Sequence, residues 1–193
     1  KGGKLTIWEP HDYALVFLNH KFIDTVFRDG GKWTIDLPKP DVVINSPLLE
    51  ILVEGMGHIN FAQFMIDRKG ITDRVTLNGM TLMNWNMYPM PLDYDFMKNG
   101  LNRTAGLSDD KEGIFFTGEF HLSATGDTYF DMSRYSKGVV YINGHNLGRY
   151  WNIGPQHRLY CPAGWLKKGV NEIIVLDLHQ KEAAVISGKT TPE

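Results

Sequence analysis

Residues 137–156 read K-G-V-V-Y-I-N-G-H-N-L-G-R-Y-W-N-I-G-P-Q. Val139, Val140, Tyr141 and Ile142 are β-branched or aromatic and favour a strand. Asn143-Gly144 supplies the two positive-φ positions of a type I′ turn, the strongest short hairpin signal. The stretch reads as strand, tight turn, strand, and then an aromatic-rich loop with Tyr150 and Trp151.

The same layout recurs earlier in the chain. With Asn19 set against Asn143, Val16-Phe17-Leu18-Asn19-His20 lies on Val140-Tyr141-Ile142-Asn143-Gly144. At an equal distance beyond each asparagine come Leu37-Pro38 and Cys161-Pro162, closing strands predicted at 33–37 and 157–161. Leu49-Glu50-Ile51-Leu52-Val53 then pairs with Asn171-Glu172-Ile173-Ile174-Val175 across a two-residue gap, and residues 5–8 match 128–131. The spacing is too long for a solenoid, so the pattern is a duplicated β-unit.

Further strands are expected at 4–8, 12–18, 22–27, 49–54, 74–77, 81–85, 113–122, 128–131, 138–142, 172–178 and 183–186, with turn residues between many of them. No window of twelve residues keeps a clean helical period, and 59–66 reads as irregular. The expected fold is all-β: two consecutive β-sandwich domains, 1–88 and 89–193. The boundary falls in Met87-Tyr88-Pro89-Met90-Pro91, and a polar loop follows at 98–112. In the second copy a strand at 114–122 precedes 128–131. Its counterpart in the first copy is expected upstream of Lys1, so the chain reads as a piece of a longer polypeptide.

The net charge is −2, from 20 basic and 22 acidic side chains, with no basic run. Nucleic acid is therefore not an expected partner. No apolar run approaches the roughly 20 residues of a membrane helix, so no membrane partner is expected. Cys161 is the only cysteine, which leaves no internal disulfide; it reads as a small buried hydrophobe.

Catalytic and metal-binding motifs are missing. There is no G-x-S-x-G, phosphate loop, H-E-x-x-H or paired-cysteine spacing, and no two of the seven histidines lie two to four residues apart. Asp109, Asp110 and Glu112 read as a solvated turn, and Asn102-Arg103-Thr104 as an exposed glycosylation triplet. No catalytic residue, metal or cofactor is expected. The aromatics carry more: Tyr150, Trp151 and Trp85 are candidates for a sugar-stacking surface, though packing is the commoner role of a sandwich tryptophan.

Residues 137–156, with Leu159-Tyr160-Cys161-Pro162-Ala163-Gly164-Trp165 and the run on to Val175, closely resemble the last β-domain of the family-35 β-galactosidases. Asp12-Tyr13-Ala14, Leu49-Glu50-Ile51-Leu52-Val53-Glu54-Gly55-Met56-Gly57, Ile59-Asn60 and Asp67 with Lys69-Gly70-Ile71 look like the domain before it. The resemblance implies a parent enzyme with an N-terminal (β/α)₈ barrel that holds a retaining glutamate pair. It implies that both β-sandwich domains of this chain are galactose-binding-like (jelly-roll) and pack on that barrel. It implies the barrel of the same polypeptide and a β-galactoside or glycan substrate as partners, in a secreted, periplasmic or lysosomal setting. It also implies that the loop with His58, Asn60 and Phe61 lines the sugar pocket. Phe61 stands where the family usually has Tyr, keeping the stacking face without the hydroxyl. Gly55 replaces a common Asn, His58 a usual Arg, His20 a common Gly, and Cys161 a branched apolar residue. Two readings follow: a non-catalytic accessory region of such an enzyme, or a free-standing carbohydrate-binding module gripping sugar with Tyr150, Trp151 or Trp85.

Overall fold

A computed structural model describes residues 2–39, 46–101 and 113–192. The chain forms two compact units, Lys1–Tyr88 and Pro89–Glu193. The triplet at Asn102 and the acidic cluster at Asp109, Asp110 and Glu112 lie outside the described residues.

The first unit contains β1 (Gly3–Ile7), β2 (Pro10–His11), β3 (Tyr13–Leu18), β4 (Lys21–Phe27), β5 (Thr34–Leu37), β6 (Leu49–Glu54), β7 (Gly70–Ile71), β8 (Val75–Leu77) and β9 (Met80–Thr81). Its two main sheets have the orders β5-β1-β8-β9 and β4-β3-β6. Alternate residues of each turn inward, as strand geometry requires. Leu5, Ile7 and Ile35 from one sheet meet Ala14, Val16 and Val26 from the other, all buried.

The second unit contains α1 (Tyr94–Leu101), β10 (Ile114–Leu122), β11 (Thr128–Asp131), β12 (Lys137–Ile142), β13 (His145–Trp151), β14 (Arg158–Cys161), β15 (Gly169–Asp177) and β16 (Ser187–Lys189). The sheets β10-β15-β12-β13 and β14-β11-β16 enclose Phe130, Val140, Ile142, Leu159, Cys161 and Val175. The protein is thus an all-β chain of antiparallel sandwiches.

The duplication is visible in bond detail. Asn143 and Gly144 turn at φ 50° and 87°, and Asn19 and His20 at φ 51° and 64°. In each unit the turn asparagine's amide donates to a carbonyl of the crossing strand, Leu48 or Glu172. Its side-chain oxygen accepts that same residue's amide, at 2.8 Å from Leu48 and 3.0 Å from Glu172. The asparagine therefore both makes the turn and pins the strand beside it. His20 holds a conformation in which glycine is at ease. Its amide and ring nitrogen both reach the Glu50 carboxylate, at 3.0 and 3.1 Å, which offsets that strain.

The ladders correct two details of the repeat. Leu15 faces Leu52 and Val139 faces Leu176, so Leu49 corresponds to Ile173 with no gap. Ile7 donates to the Trp33 carbonyl as Met132 does to that of His157, which sets residues 3–6, rather than 5–8, against 128–131. A slip of two residues keeps every side chain on its face, so the apolar pattern cannot register it.

Three local expectations change as well. The strand expected at 81–85 is only Met80–Thr81, and that at 183–186 lies instead at Ser187–Lys189. The second hairpin arm extends to Trp151, so Tyr150 and Trp151 are strand residues rather than loop residues. An unforeseen helix, α1, starts where the Asp93 carboxylate accepts the Phe96 amide at 2.7 Å, a standard N-cap. It buries Met97 on the outer face of β12 and β15, against Val139, Tyr141, Ile174 and Leu176. No described helix is long and apolar enough to cross a membrane.

Candidate functional site

The best-built surface feature of the first unit is the segment between β6 and β7, residues 55–69. A long loop needs anchors, because its backbone gains little from regular pairing. Here four charged side chains supply them. Asp12 sits between β2 and β3, Arg28 follows β4, and Asp67 and Lys69 lie just before β7.

Lys69 uses all three ammonium donors, to Asp12 Oδ2 at 2.6 Å, Asp67 Oδ2 at 2.7 Å and the Gly57 carbonyl at 2.9 Å. Arg28 bridges the same two carboxylates from the other side, at 2.8 Å to Asp67 and 3.3 Å to Asp12. Asp12 also accepts the Met56 amide at 2.7 Å, and Asp67 the Ile59 amide at 3.2 Å. Three backbone groups of the loop, at 56, 57 and 59, are thereby fixed to one cluster of two buried carboxylates and two half-buried cations. Gly55 serves the same end. A Cβ there would meet Lys69 Cβ at 3.3 Å, tighter than ordinary contact.

The electrostatics follow from the geometry. The Lys69 hydrogen bond, with those of Arg28 and the Ile59 amide, holds the Asp67 carboxyl far below the usual carboxylate range against the cost of burial. Burial pushes Asp12 up, but Lys69, the Met56 amide and Arg28 together bring it below its ordinary value. Arg28 and Lys69 are raised in turn: burial disfavours their charge, and the two carboxylates more than restore it. His11, Asp12 and Asp67 bring possible ligand atoms within 4.8 Å of one another, the one such group among the described residues. With Arg28 and Lys69 already on both carboxylates, a metal ion there would have to displace two bound cations, so the donor set suits an ion-pair lock.

This base presents an exposed face. His58, Asn60 and Phe61 project from it, with Phe61 75% exposed. A short 3₁₀ turn, Ala62–Met65, follows in the stretch expected to be irregular, and Phe64, Met65 and Ile66 are exposed beside it. His58 Nδ1 lies 2.9 Å from the Ile59 carbonyl. A carbonyl only accepts, so Nδ1 carries the proton, and a neutral ring presents Nε2 as an acceptor. The face thus offers an aromatic ring, an amide and an imidazole acceptor amid apolar side chains, a combination suited to a sugar and to a covering protein surface.

The other candidates sit elsewhere. Tyr150 is 3% exposed, and its hydroxyl lies 3.0 Å from the Leu176 carbonyl and 2.9 Å from Asp177 Oδ2, so its ring offers no open face. Trp151 is half-buried, with the Lys137 ammonium 4.6 Å over its ring. Trp85 is 41% exposed, its indole N–H donating to the Leu82 carbonyl at 3.2 Å. Cys161 is fully buried, and burial pushes its thiol up to about 11. The ion-pair lock was not foreseen as a unit. Its sequence trace is Asp67-x-Lys69, which puts both side chains on one side of an extended segment.

Sandwiches, paired hairpins and a locked loop define the chain as a β-sandwich protein. Comparison with known proteins then fixes the family. Residues 2–91 match the β-galactosidase first all-β domain, and residues 114–171 match the β-galactosidase galactose-binding domain. The chain is 37% identical over 171 residues to human β-galactosidase-1-like protein 2, covering 86% of this chain and 26% of that protein. It is 36% identical over 204 residues to β-galactosidase 17 of Arabidopsis thaliana, covering 92% and 29%. With a β-galactosidase of Xanthomonas manihotis it shares 32% identity over 159 residues, covering 82% and 25%. The chain belongs to the β-galactosidase family, as a first all-β domain followed by a galactose-binding domain. It spans little more than a quarter of the length of these relatives.

Proposed function

We infer that this chain is the non-catalytic accessory region of a β-galactosidase-like glycoside hydrolase. It packs on a (β/α)₈ catalytic barrel of the same polypeptide and lends His58, Asn60 and Phe61 to the wall of the galactoside pocket. The observation that carries this reading is the locked loop: a mostly exposed face, partly apolar, held on a four-residue ion cluster whose two carboxylates are buried. Such an arrangement suits a surface that must present fixed side chains to a partner. The relatives' names and the short share of their length covered by the chain support the same reading.

Catalysis then resides outside this chain. Phe61 contributes a stacking face and excluded water, and His58 an acceptor for a sugar hydroxyl. The reading as a free-standing sugar-binding module is less well supported, because Tyr150 is enclosed and Lys137 occupies a face of Trp151.

The test is Phe61→Ala in the full-length enzyme. The expected result is a raised KM for galactosides with an unchanged melting temperature. Unchanged KM and kcat would show that the ring does not face the pocket.

A further inference from the structure

The two units place their strands alike, and the likeness stops at one edge. In the second unit β15 lies between β12 and β10, and the 9-residue β10 pairs it from Ile114↔Asp177 to Leu122↔Gly169. In the first unit β6 takes the place of β15 beside β3, and among the described residues it has no second neighbour. The Asn19 amide bonds the Leu48 carbonyl. By the alternation of an antiparallel ladder, the amides of Leu49, Ile51 and Val53 then point to the open edge.

Burial tells the same story. Leu49, Ile51 and Val53 pack on the core of the first unit but are only partly buried. The equivalents of Ile51 and Val53, Val175 and Asp177, are 2% and 0% exposed beside β10. Sheet edges left free in natural proteins are short or carry lysine, proline or a bulge. β6 is Leu-Glu-Ile-Leu-Val-Glu and pairs β3 without a register shift. Of its charges, Glu50 is engaged by His20 and Glu54 is buried.

We propose that the free edge of β6 is completed by one more antiparallel strand, contributed by the same polypeptide on the N-terminal side of Gly3. Connectivity sets the side: β10 enters the second unit immediately before β11, and β1 is the counterpart of β11. The strand carries alternating apolar residues, as β10 does with Phe116 and Phe120 against its core. Relatives nearly four times the aligned length leave ample polypeptide to supply it. The proposal holds whether or not residues 58–61 touch sugar.

The first test fuses a second copy of residues 113–127, which hold β10 and its following loop, directly ahead of Gly3. Amide exchange at Leu49, Ile51 and Val53 is followed by NMR. The expected result is a slowing of at least about tenfold, lost when prolines replace Phe116 and Gly118 in the added copy, since these donors face the new partner. The second test compares the same amides in this chain and in the full-length protein, where they are expected to be protected only in the latter. Slow exchange in the unmodified chain, or fast exchange in the full-length protein, overturns the proposal. So does protection that appears only at high concentration, which would mean two chains pairing edge to edge.

Discussion

Tyr150→Phe tests whether this residue belongs to the core of the second unit or to a recognition surface. The hydroxyl is buried and within hydrogen-bond distance of the Leu176 carbonyl and the Asp177 carboxylate. Asp177 is not left without partners by the change, because the amides of Ser136, His179 and Gln180 each donate to it at 2.8 Å. The loss is therefore that of one hydrogen bond to a charged group, about 1.5–3 kcal/mol. The ring and its edge-on contact with Tyr135 stay in place. For a unit of this size each kcal/mol lowers the melting temperature by about 4–8 °C, so about 2 kcal/mol gives a drop of roughly 8–16 °C. Scanning calorimetry of the second-unit transition reads this directly, with circular dichroism to show an unchanged fold. A transition moved by less than about 1 °C would refute the reasoning, because the hydroxyl would then be exchanging its partners for water at no cost.

Asp67→Asn removes the charge shared by Arg28 and Lys69, and proteolytic cleavage or amide exchange within residues 56–66 is expected to rise at least about tenfold while β3, paired on both sides, stays protected. Unchanged exchange would mean that the ion cluster does not hold the loop. The pH dependence has a definite sign. Asp12 and Asp67 are lowered from 3.8, so their contribution is complete above that value and lost as pH falls through the lower folded values. Loop protection is therefore expected to be equal at about pH 7 and 5 and to decline only below about pH 4; a decline between 7 and 5 would contradict it. Cys161, with its thiol raised to about 11 by burial, is expected to resist alkylation near pH 8 until the second unit unfolds.

The sequence made the architecture legible because its strongest signals are local. Asn143-Gly144 fixes a hairpin by backbone sterics alone, and the matching Asn19-His20 turn reveals the duplication. What it concealed is equally physical. A two-residue slip preserves inward and outward faces, so the gap placed before Leu49 could not be tested by apolar pattern. Residues 94–101 are too few to display helical periodicity, and α1 forms because Asp93 caps it and Met97 finds a sheet to bury against. Tyr150 looked like a loop residue because the strand signal fades at His145-Asn146, yet pairing with Gly138 carries β13 through it. The loop at 58–61 was found by resemblance. The lock beneath it joins residues far apart in the chain, such as Asp12 with Lys69, and no local pattern announces such a contact.

The central claim is that the face formed by Phe61, Phe64, Met65 and Ile66 is covered by the catalytic part of a longer polypeptide. Oxidative footprinting measures it most directly, by comparing the reactivity of these side chains in this chain alone and in the full-length protein. The account predicts that all are reactive in the chain alone, as their exposure requires, and that Phe64, Met65 and Ile66 become several-fold protected in the full-length protein. Phe61 is predicted to gain further protection when a galactoside is added. Equal reactivity in the two proteins, with no response to the sugar, would contradict the account.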